Sequence, residues 1–593
     1  MTVVLVWGAA LFLLTNIVSV SPAPLTDAPW GQIRGVSVSS GDDSYSAYLA
    51  IPYALPPVGG RRFAKPVPHP GPGPGQVHEA VAPGAVCPQL DPFFQGMFSE
   101  DCLTLDVYVP TELEGPTSVL IYIHGGSFAF WGSRIFTPSE LVTENDVIVV
   151  VIQYRLGALG FLSSGDDALP GNYGLWDQNL AIQWVKDNIR AFGGDPDSMT
   201  IYGQSAGAVS VGHQLLSPYS KGLFSRAILQ SGVPLSVWAV NEDPSQPFDE
   251  LARAVGCVVD ASQGKRTVLG RSRSCRKMNI VACLRQVPVN ELLVMSVLPV
   301  RSVRSSDILK WLPVVDGDFV PRNPAELLCD ADYLTANDVI SRDVMLGVNN
   351  DEDGYLLDAI KGTIGLAQAV NPGADLTELI ELFSISNKTE RNLIREALLY
   401  YFAEEVKENP GNIEKAVDMV ETYYTDSQVT LESAAATFGD IYFNVPMVAM
   451  ARDLAEVSAG MVEKGSLYVY TVNHFPARKG QSIFKGIEHG EDIPYVFDNA
   501  YFSRDGFTDD DFAVGAALRA ALANFAKTGN PNTPEDLASD VAWPEFSLAT
   551  QSYLSLGPTS NVSDHLYAAQ ADLWLEEVPD TLFDDSDDNK DLD

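Results

Sequence analysis

The stretch Gly-Gln-Ser-Ala-Gly at residues 203–207 constrains the fold of this chain more strongly than any other part of the sequence. A strand-like run, residues 198–202, precedes it, and a helix-compatible run, residues 208–212, follows it. In that context G-x-S-x-G is typical of a nucleophile elbow, where flanking glycines allow a sharp turn and the serine hydroxyl projects above the sheet. The pattern predicts Ser205 as a nucleophile. The alternative is a small-residue turn that only packs a helix against a strand.

Further motifs follow one another along most of the chain. They are Ser-Glu-Asp-Cys-Leu-Thr-Leu at 99–105, Tyr-Ile-His-Gly-Gly-Ser-Phe at 122–128, Gly-Asn-Tyr-Gly-Leu-Trp-Asp-Gln at 171–178, Phe-Gly-Gly-Asp-Pro at 192–196 and Leu-Gln-Ser-Gly at 229–232. Together with the elbow, they resemble the type-B carboxylesterases and cholinesterases of the α/β-hydrolase fold. The resemblance implies an α/β architecture in one catalytic domain over residues 22–579, with a central, mostly parallel twisted sheet flanked by helices and with loop and helical insertions.

The local patterns agree with that architecture. The runs 119–123 and 147–152 are continuously apolar, as expected of strands buried on both faces of a parallel sheet. Near the C-terminus, residues 513–527 are predicted to form a helix that ends at Gly529.

Ester hydrolysis needs a nucleophile, a base, an acid group that orients the base, and donors for the oxyanion. Ser205, Glu352 and His489 respect the Ser, Asp/Glu, His order of α/β-hydrolases. The resemblance selects Glu352 over Asp351 and Asp353, because the register of the motif G-V-N-x-D-E falls there. The alternative for Glu352 is an ordinary acidic turn, and the alternative for His489 is a surface histidine without a catalytic role.

The oxyanion hole implied by the resemblance consists of the backbone N–H groups of Gly126, Ser127 and Ala206. Loss of one such donor typically raises the barrier by roughly 3 to 4 kcal/mol. No metal or cofactor is expected to take part.

Four residues are predicted to line the substrate pocket: Gln204, Trp238, Phe93 and Phe94. Cholinesterases that resemble this chain carry a choline-binding tryptophan on the loop of Phe93 and Phe94 and a glutamate before the nucleophile. Without that aromatic face and that carboxylate, attraction for a cation is weaker. The resemblance places Trp238 at an acyl-pocket wall, and the alternative is a core aromatic residue.

The expected substrate is a neutral, lipophilic small-molecule ester. A subset of the motifs resembles arthropod juvenile hormone esterases, which would imply a sesquiterpenoid methyl ester. Two competing interpretations are a non-catalytic adhesion or scaffold protein, since the family includes members that kept the fold and lost the serine, and a lipase.

Residues 1–21 are predicted to be a secretory signal peptide, because an apolar run is followed by small residues. With no later run long enough to cross a bilayer, we expect a secreted protein without stable membrane insertion. Asn387 and Asn561 begin sequons that are predicted to be glycosylated.

Six cysteines fit an oxidising compartment. The resemblance implies a bridge between Cys87 and Cys102 and another between Cys257 and Cys283. The pairing of the remaining two, Cys275 and Cys329, is left open. Either they pair with each other, or Cys275 competes with Cys283.

The net charge is −39, with 77 acidic and 38 basic residues. Such a chain repels nucleic acid, so a nucleic-acid partner is not expected. Residues 580–593 are predicted to be an acidic, disordered tail. The oligomeric state is left open.

Overall fold

The computed structural model describes residues 18–40, 43–258, 273–297, 310–352, 394–395, 398–399, 402, 410–424, 431–477, 486–498, 501, 504–533 and 541–583. Thirteen strands form one sheet in this part of the chain. They are β1 Val18–Ala28, β2 Gly31–Ser40, β3 Asp43–Pro52, β4 Val77–Glu79, β5 Thr104–Pro110, β6 Thr117–Ile123, β7 Ile148–Ile152, β8 Gly194–Gln204, β9 Arg226–Gln230, β10 Asp343–Asn349, β11 Leu467–Val472, β12 Ser552–Leu556 and β13 Asn561–Asp564.

The sheet is mixed, with a parallel centre. Its order is β1-β2-β3-β5-β7-β6-β8-β9-β10-β11-β12-β13, and β4 pairs with β2. From β7 to β12 every neighbouring pair is parallel. The two margins, β1-β2-β3-β5-β7 and β12-β13, are antiparallel. Because parallel strands end at the same edge of a sheet, the loops that follow β6, β8, β10 and β11 meet at one edge.

Helices connect and cover the strands. Their bounds are Ser139–Asn145, Gly157–Phe161, Tyr173–Asn188, Ala206–Leu216, Ser245–Ala254, Arg273–Leu284, Val289–Val297, Pro324–Leu328, Ala331–Ala336, Ile413–Tyr424, Leu431–Gly439, Val445–Val457, Ile493–Val496, Asp509–Thr528, Ala568–Asp572 and Val578–Phe583.

The central strands are apolar on both faces because both faces are buried. In β6, Val119, Ile121 and Ile123 belong to one core cluster, whereas Leu120 and Tyr122 belong to another. Helices Tyr173–Asn188 and Ala206–Leu216 contribute to the first cluster. Helices Ser139–Asn145 and Asp509–Thr528 contribute to the second. The predicted α/β architecture with helices on both faces is therefore present.

Three boundaries differ from expectation. Strand β1 begins at Val18, inside the predicted leader, and pairs with β2 along its length. The helix predicted over 513–527 begins earlier, at Asp509, because Thr508 and Asp511 form a capping box. At the end of the chain, helix Val578–Phe583 extends past the predicted start of the disordered tail. Val578 and Leu582 lie one turn apart and are both buried, so this turn is ordered despite its acidic neighbours.

The two predicted disulfides are present, Cys87–Cys102 and Cys257–Cys283. Cys329 has an exposed free thiol, and the side chain of Cys275 lies outside the described residues. No helix in the described ranges is long and apolar enough to span a membrane. The sequon residue Asn561 is exposed on the edge strand β13, and Asn387 lies outside the described residues.

Candidate active site

Ser205 lies at the turn between β8 and helix Ala206–Leu216. Its backbone has φ 58° and ψ −126°, a conformation that non-glycine residues rarely adopt and that is found mainly at functional sites. The turn is tight, because a Cβ atom on Gly207 would overlap the carbonyl oxygen of Ile123 at the end of β6. The Ser205 N–H donates to the carbonyl of Gln230 at 2.8 Å, which fixes the turn to the end of β9. The predicted strand-turn-helix context of the elbow is therefore present.

Three predicted side chains form one hydrogen-bonded chain. His489 Nδ1 lies 2.6 Å from Glu352 Oε2, and His489 Nε2 lies 2.9 Å from Ser205 Oγ. A carboxylate only accepts, so the imidazole donates through Nδ1 and presents an unprotonated Nε2 to the serine hydroxyl. Ser205 and Glu352 are buried, and the side chain of His489 is 6% exposed. This arrangement suits a serine activated by an oriented imidazole base.

Glu352 is held from two further directions. Its Oε1 accepts from Ser231 Oγ at 2.6 Å and from the backbone N–H of Asn349 at 2.7 Å. Ser231 follows β9, in the Leu-Gln-Ser-Gly motif, but sequence reasoning gave it no role. The carboxylate is thus fixed by the segment that follows β9 and by the last residue of the neighbouring strand β10.

The segment that carries Glu352 also supports the segment that carries His489. Asn350 Oδ1 accepts from Ile487 N–H and Asp351 Oδ2 accepts from Gly486 N–H, both at 2.9 Å. Asn349 Nδ2 donates to the Glu488 carbonyl at 2.9 Å. Asp351, the rival of Glu352, therefore has a structural partner and is not bonded to the imidazole. The other rival, Asp353, lies outside the described residues.

The loop after β6 passes beside the nucleophile. A Cβ atom on Gly125 would lie 3.1 Å from the Cβ of Ser205. Gly126, Ser127 and Phe128 follow with φ of 96°, 56° and 57°. Ala206 begins the helix, where backbone N–H groups have no partner within the helix. The two segments predicted to donate to an oxyanion thus meet at the serine.

Aromatic rings form one wall of the site. Trp238 packs against Phe443 at 5.8 Å and Phe128 at 6.5 Å between ring centroids, and Phe443 lies 4.4 Å from the ring of His489. Trp238 is 5% exposed, and its ring lies 3.3 Å from where a Cβ on Gly232 would stand. The predicted position of Trp238 near the nucleophile agrees with this geometry. Sequence reasoning missed Phe443, because no local motif marks its segment, Asp440–Asn444.

Two of the other predicted pocket residues are buried. Phe94 has no exposed surface and packs in the core cluster with Val86 and Phe136, and its role as a pocket residue stays a prediction. Gln204 is only 1% exposed, and its side-chain oxygen would lie 3.1 Å from a Cβ on Gly125. It therefore lies against the loop that carries Gly125, directly before Ser205, and its role in the pocket stays a prediction. Phe93 is 37% exposed and does face outward.

Trp131 is a residue that the sequence reasoning did not consider. Its indole lies beside Gly126, where a Cβ would be 3.2 Å from Trp131 Cδ2. The disulfide loop that lacks a tryptophan thus has one next to it, contributed by the segment after β6.

Asp492 is a second buried carboxyl close to the three residues. Burial, followed by the charge of Glu352, raises its pKa from 3.8 to about 6. It accepts a hydrogen bond from Gln230 Nε2, and Gln230 in turn accepts from the Tyr202 hydroxyl. Within the described ranges, no group of three or more His, Cys, Asp or Glu residues could hold a metal ion.

A parallel-centred sheet with an elbow serine and a Ser-His-Glu hydrogen-bond chain at its carboxyl edge defines the α/β-hydrolase class. A family model described as "Carboxylesterase family" matches residues 22–574. The chain therefore belongs to the carboxylesterase family.

Individual relatives are also similar over nearly the whole chain. Bile salt-activated lipase of Bos taurus is 33% identical, and the alignment covers 92% of this chain and 86% of the lipase. Neuroligin-3 of Mus musculus is 30% identical, covering 94% of this chain and 69% of that protein. Neuroligin-2 of Homo sapiens is also 30% identical, covering 94% and 68% respectively.

Proposed function

We propose that this protein is a carboxylic ester hydrolase that acts through an acyl-enzyme on Ser205. The observation that carries the proposal is the hydrogen-bond chain from Ser205 through His489 to Glu352. Ser205 Oγ lies 2.9 Å from His489 Nε2, and His489 Nδ1 lies 2.6 Å from Glu352 Oε2. The family by itself does not decide between a hydrolase and a non-catalytic scaffold. An intact nucleophile, base and orienting carboxylate favours the hydrolase.

The mechanism has two steps. Ser205 Oγ attacks the ester carbonyl while His489 Nε2 takes the hydroxyl proton, and the backbone N–H groups of Gly126, Ser127 and Ala206 stabilise the oxyanion. The tetrahedral intermediate collapses, the C–O bond to the alcohol breaks, and His489 returns the proton to the alcohol. Water then attacks the acyl-enzyme by the same route and releases the acid. Glu352 keeps the imidazole in the required tautomer.

The substrate class we propose is a neutral, lipophilic ester. Gln204 supports it, because an uncharged amide stands where a carboxylate would help to hold a cation. The disulfide loop has no tryptophan, but Trp131 offers an aromatic face beside it, so the lack of a tryptophan in the loop is not an argument against a cationic substrate. A sesquiterpenoid methyl ester of the juvenile hormone type is one member of the class. A lipase is a second candidate, favoured by the 33% identity to bile salt-activated lipase.

The decisive experiment compares the wild-type protein with Ser205→Ala. We expect the variant to fold normally and to lose turnover of every ester, because the hydroxyl is needed for covalent chemistry and contributes little to packing. A fluorophosphonate should label Ser205 in the wild type and leave the variant unlabelled, as judged by peptide mass spectrometry. Esterase activity that persists in purified Ser205→Ala would rule out the mechanism.

The substrate class needs its own comparison. One preparation would be assayed on short p-nitrophenyl esters, triglycerides, choline esters and sesquiterpenoid methyl esters. Highest kcat/KM on dispersed triglyceride would favour the lipase. We also propose that the protein is secreted and glycosylated at Asn387 and Asn561, which N-terminal sequencing and glycopeptide mass spectrometry of the culture medium would test.

A further inference from the structure

We infer that Trp131 forms the wall against which the alcohol part of the ester packs, that Gln89 holds this wall in place, and that the preferred esters carry a large apolar alcohol. The inference rests on the proposed hydrolase function and adds a substrate class to it. A methyl ester would leave this wall without a partner, so the inference also ranks methyl esters below esters of larger alcohols.

Trp131 lies next to the reacting centre. A Cβ atom added to Gly126 would lie 3.2 Å from Trp131 Cδ2, and a Cβ atom added to the preceding residue, Gly125, would lie 3.1 Å from the Cβ of Ser205. The indole is half-buried, so part of its surface remains open to solvent.

The backbone of Trp131 is strained and doubly held. Its φ is 79°, a left-handed value that a bulky residue adopts only where the surroundings enforce it. Gln89 enforces it: Gln89 Oε1 accepts from the Trp131 N–H and Gln89 Nε2 donates to the Trp131 carbonyl, both at 2.7 Å. Gln89 is 2% exposed and lies inside the loop that the Cys87–Cys102 disulfide closes. The disulfide loop therefore sets the position of the indole.

The surface continues outward from Trp131. The ring of Tyr501 lies 6.0 Å from that of Trp131, and the ring of Phe93 lies 5.4 Å from that of Tyr501, both edge-on. Phe93 and Tyr501 are 37% and 39% exposed. The nearby carboxylate of Asp91 accepts from the Phe93 N–H at 2.8 Å and from the Tyr501 hydroxyl at 3.4 Å. The surface that this wall presents to a ligand is therefore mainly apolar and aromatic.

The order of the chemical steps assigns the two walls. The wall of Trp238, Phe128 and Phe443 is enclosed, with exposures of 5% or less, whereas the Trp131 wall opens to solvent. The alcohol leaves while the acyl group is still bonded to Ser205. The alcohol therefore has to lie on the open side, and the acyl group on the enclosed side.

The test uses esters whose two parts vary separately. Ethyl acetate and 2-naphthylmethyl acetate share an acyl group and have alcohols of similar basicity, and ethyl hexanoate changes only the acyl group. The variants are Trp131→Ala, Trp131→Phe and Gln89→Leu. Trp176→Ala serves as the control, because Trp176 is also half-buried and lies in an aromatic cluster, with Tyr219 and Phe319. Titration with a fluorophosphonate gives the concentration of active protein in each preparation.

We expect the preference of the wild type for the naphthylmethyl ester to fall roughly tenfold in kcat/KM in Trp131→Ala and in Gln89→Leu. Trp131→Phe should retain most of it, Trp176→Ala should retain all of it, and the hexanoate-to-acetate ratio should not change in any variant. If Trp131→Ala does not fold, the comparison of Gln89→Leu with Trp131→Phe decides. Equal losses on both acetates, or a change in the hexanoate ratio alone, would overturn the inference while leaving the hydrolase proposal intact. A wild type inactive on every ester would instead overturn the hydrolase proposal.

Discussion

Glu352 is the most constrained side chain of the site, because its two oxygens accept from three donors that belong to different segments. A carboxylate held in this way can orient one imidazole and has no freedom to turn away. An amide in the same place would present an N–H to donors at one of these contacts, which is electrostatically unfavourable.

The first prediction follows for Glu352→Gln. We expect kcat to fall by roughly 10³ to 10⁴, because the imidazole is no longer held in the tautomer that accepts the serine proton. Asp351→Asn should stay within a few fold of the wild type, because an Asn oxygen still accepts from Gly486 N–H. Both variants are measured at one pH on one ester. Equal losses in the two would mean that the acid has been assigned to the wrong residue.

The second prediction concerns Asp492 and pH. Its pKa rises from 3.8 to about 6 on folding, chiefly through burial, so the folded protein holds this proton more tightly than the unfolded chain does. The stabilising effect of the protonated carboxyl is complete below pH 4 and is lost as the pH rises through about 6. The free energy of unfolding of Asp492→Asn minus that of the wild type should therefore rise by about 3 kcal/mol from low to high pH, because only the wild type loses this stabilisation. Denaturant unfolding at pH 4 and pH 8 measures this difference, and a gap that does not change with pH contradicts it.

At the scale of single residues, motif and chain order were sufficient to predict Ser205, Glu352 and His489 as one site. They did not indicate that Phe94 and Gln204 are buried, because a motif carries no information on which way a side chain packs. They also missed Trp131 and Phe443. The first reaches Gly126 only through a left-handed backbone, and the second comes from a segment far along the chain from the elbow.

The site depends on the elbow, because the elbow joins β8 to helix Ala206–Leu216 and packs against the loop after β6. Its glycines are required because a side chain there would overlap neighbouring atoms. A Cβ atom added to Gly207 would overlap backbone atoms, which have little freedom to move. Overpacking against backbone cannot be relieved by a rotamer change.

The third prediction is that Gly207→Ala lowers the free energy of unfolding by about 2 kcal/mol or more and reduces the fraction of molecules that a fluorophosphonate can label. Gly115→Ala is the matched control, because a Cβ there would meet nothing within 4 Å. It should change stability by no more than about 0.5 kcal/mol. Chemical unfolding of the two variants beside the wild type gives the answer. Equal stability of the two variants would show that the elbow has room for a side chain.

Elements with a strong local signal were predictable and those set by distant pairing were not. The apolar runs of β6 and β7 identified two central strands, because both faces of each strand are buried. Residues 18–21 of strand β1 were assigned to a leader, because apolar and small residues fit a signal peptide and the pairing with β2 is invisible in composition. Residues 580–583 of helix Val578–Phe583 were assigned to a disordered tail because of a local excess of acids, which two buried side chains of the helix outweigh.

For the molecule as a whole, the net charge of −39 creates a field that attracts cations before they reach the site. This attraction raises the encounter rate and is screened by salt. Discrimination inside the pocket acts after encounter and does not depend on salt in the same way.

The fourth prediction separates the two effects. Between about 10 mM and about 300 mM salt, kcat/KM for acetylcholine should fall at least about twofold, and kcat/KM for a neutral lipophilic ester should change little. At about 0.15 M salt the neutral ester should remain the better substrate, because an ammonium group gains no adjacent carboxylate from Gln204. A preference for the choline ester at that salt concentration would contradict the proposed substrate class.

The contrast between the enclosed wall of Trp238 and the open wall of Trp131 also bears on what would intercept the proposed acyl-enzyme. Once the first alcohol has departed, the open wall is an unoccupied apolar surface beside a reactive acyl group. A second alcohol of the same apolar kind can settle there and compete with water for the acyl carbon. In a lipid-rich, water-poor medium the protein would then exchange one alcohol for another and act as an acyltransferase, with the same residues and no change in structure.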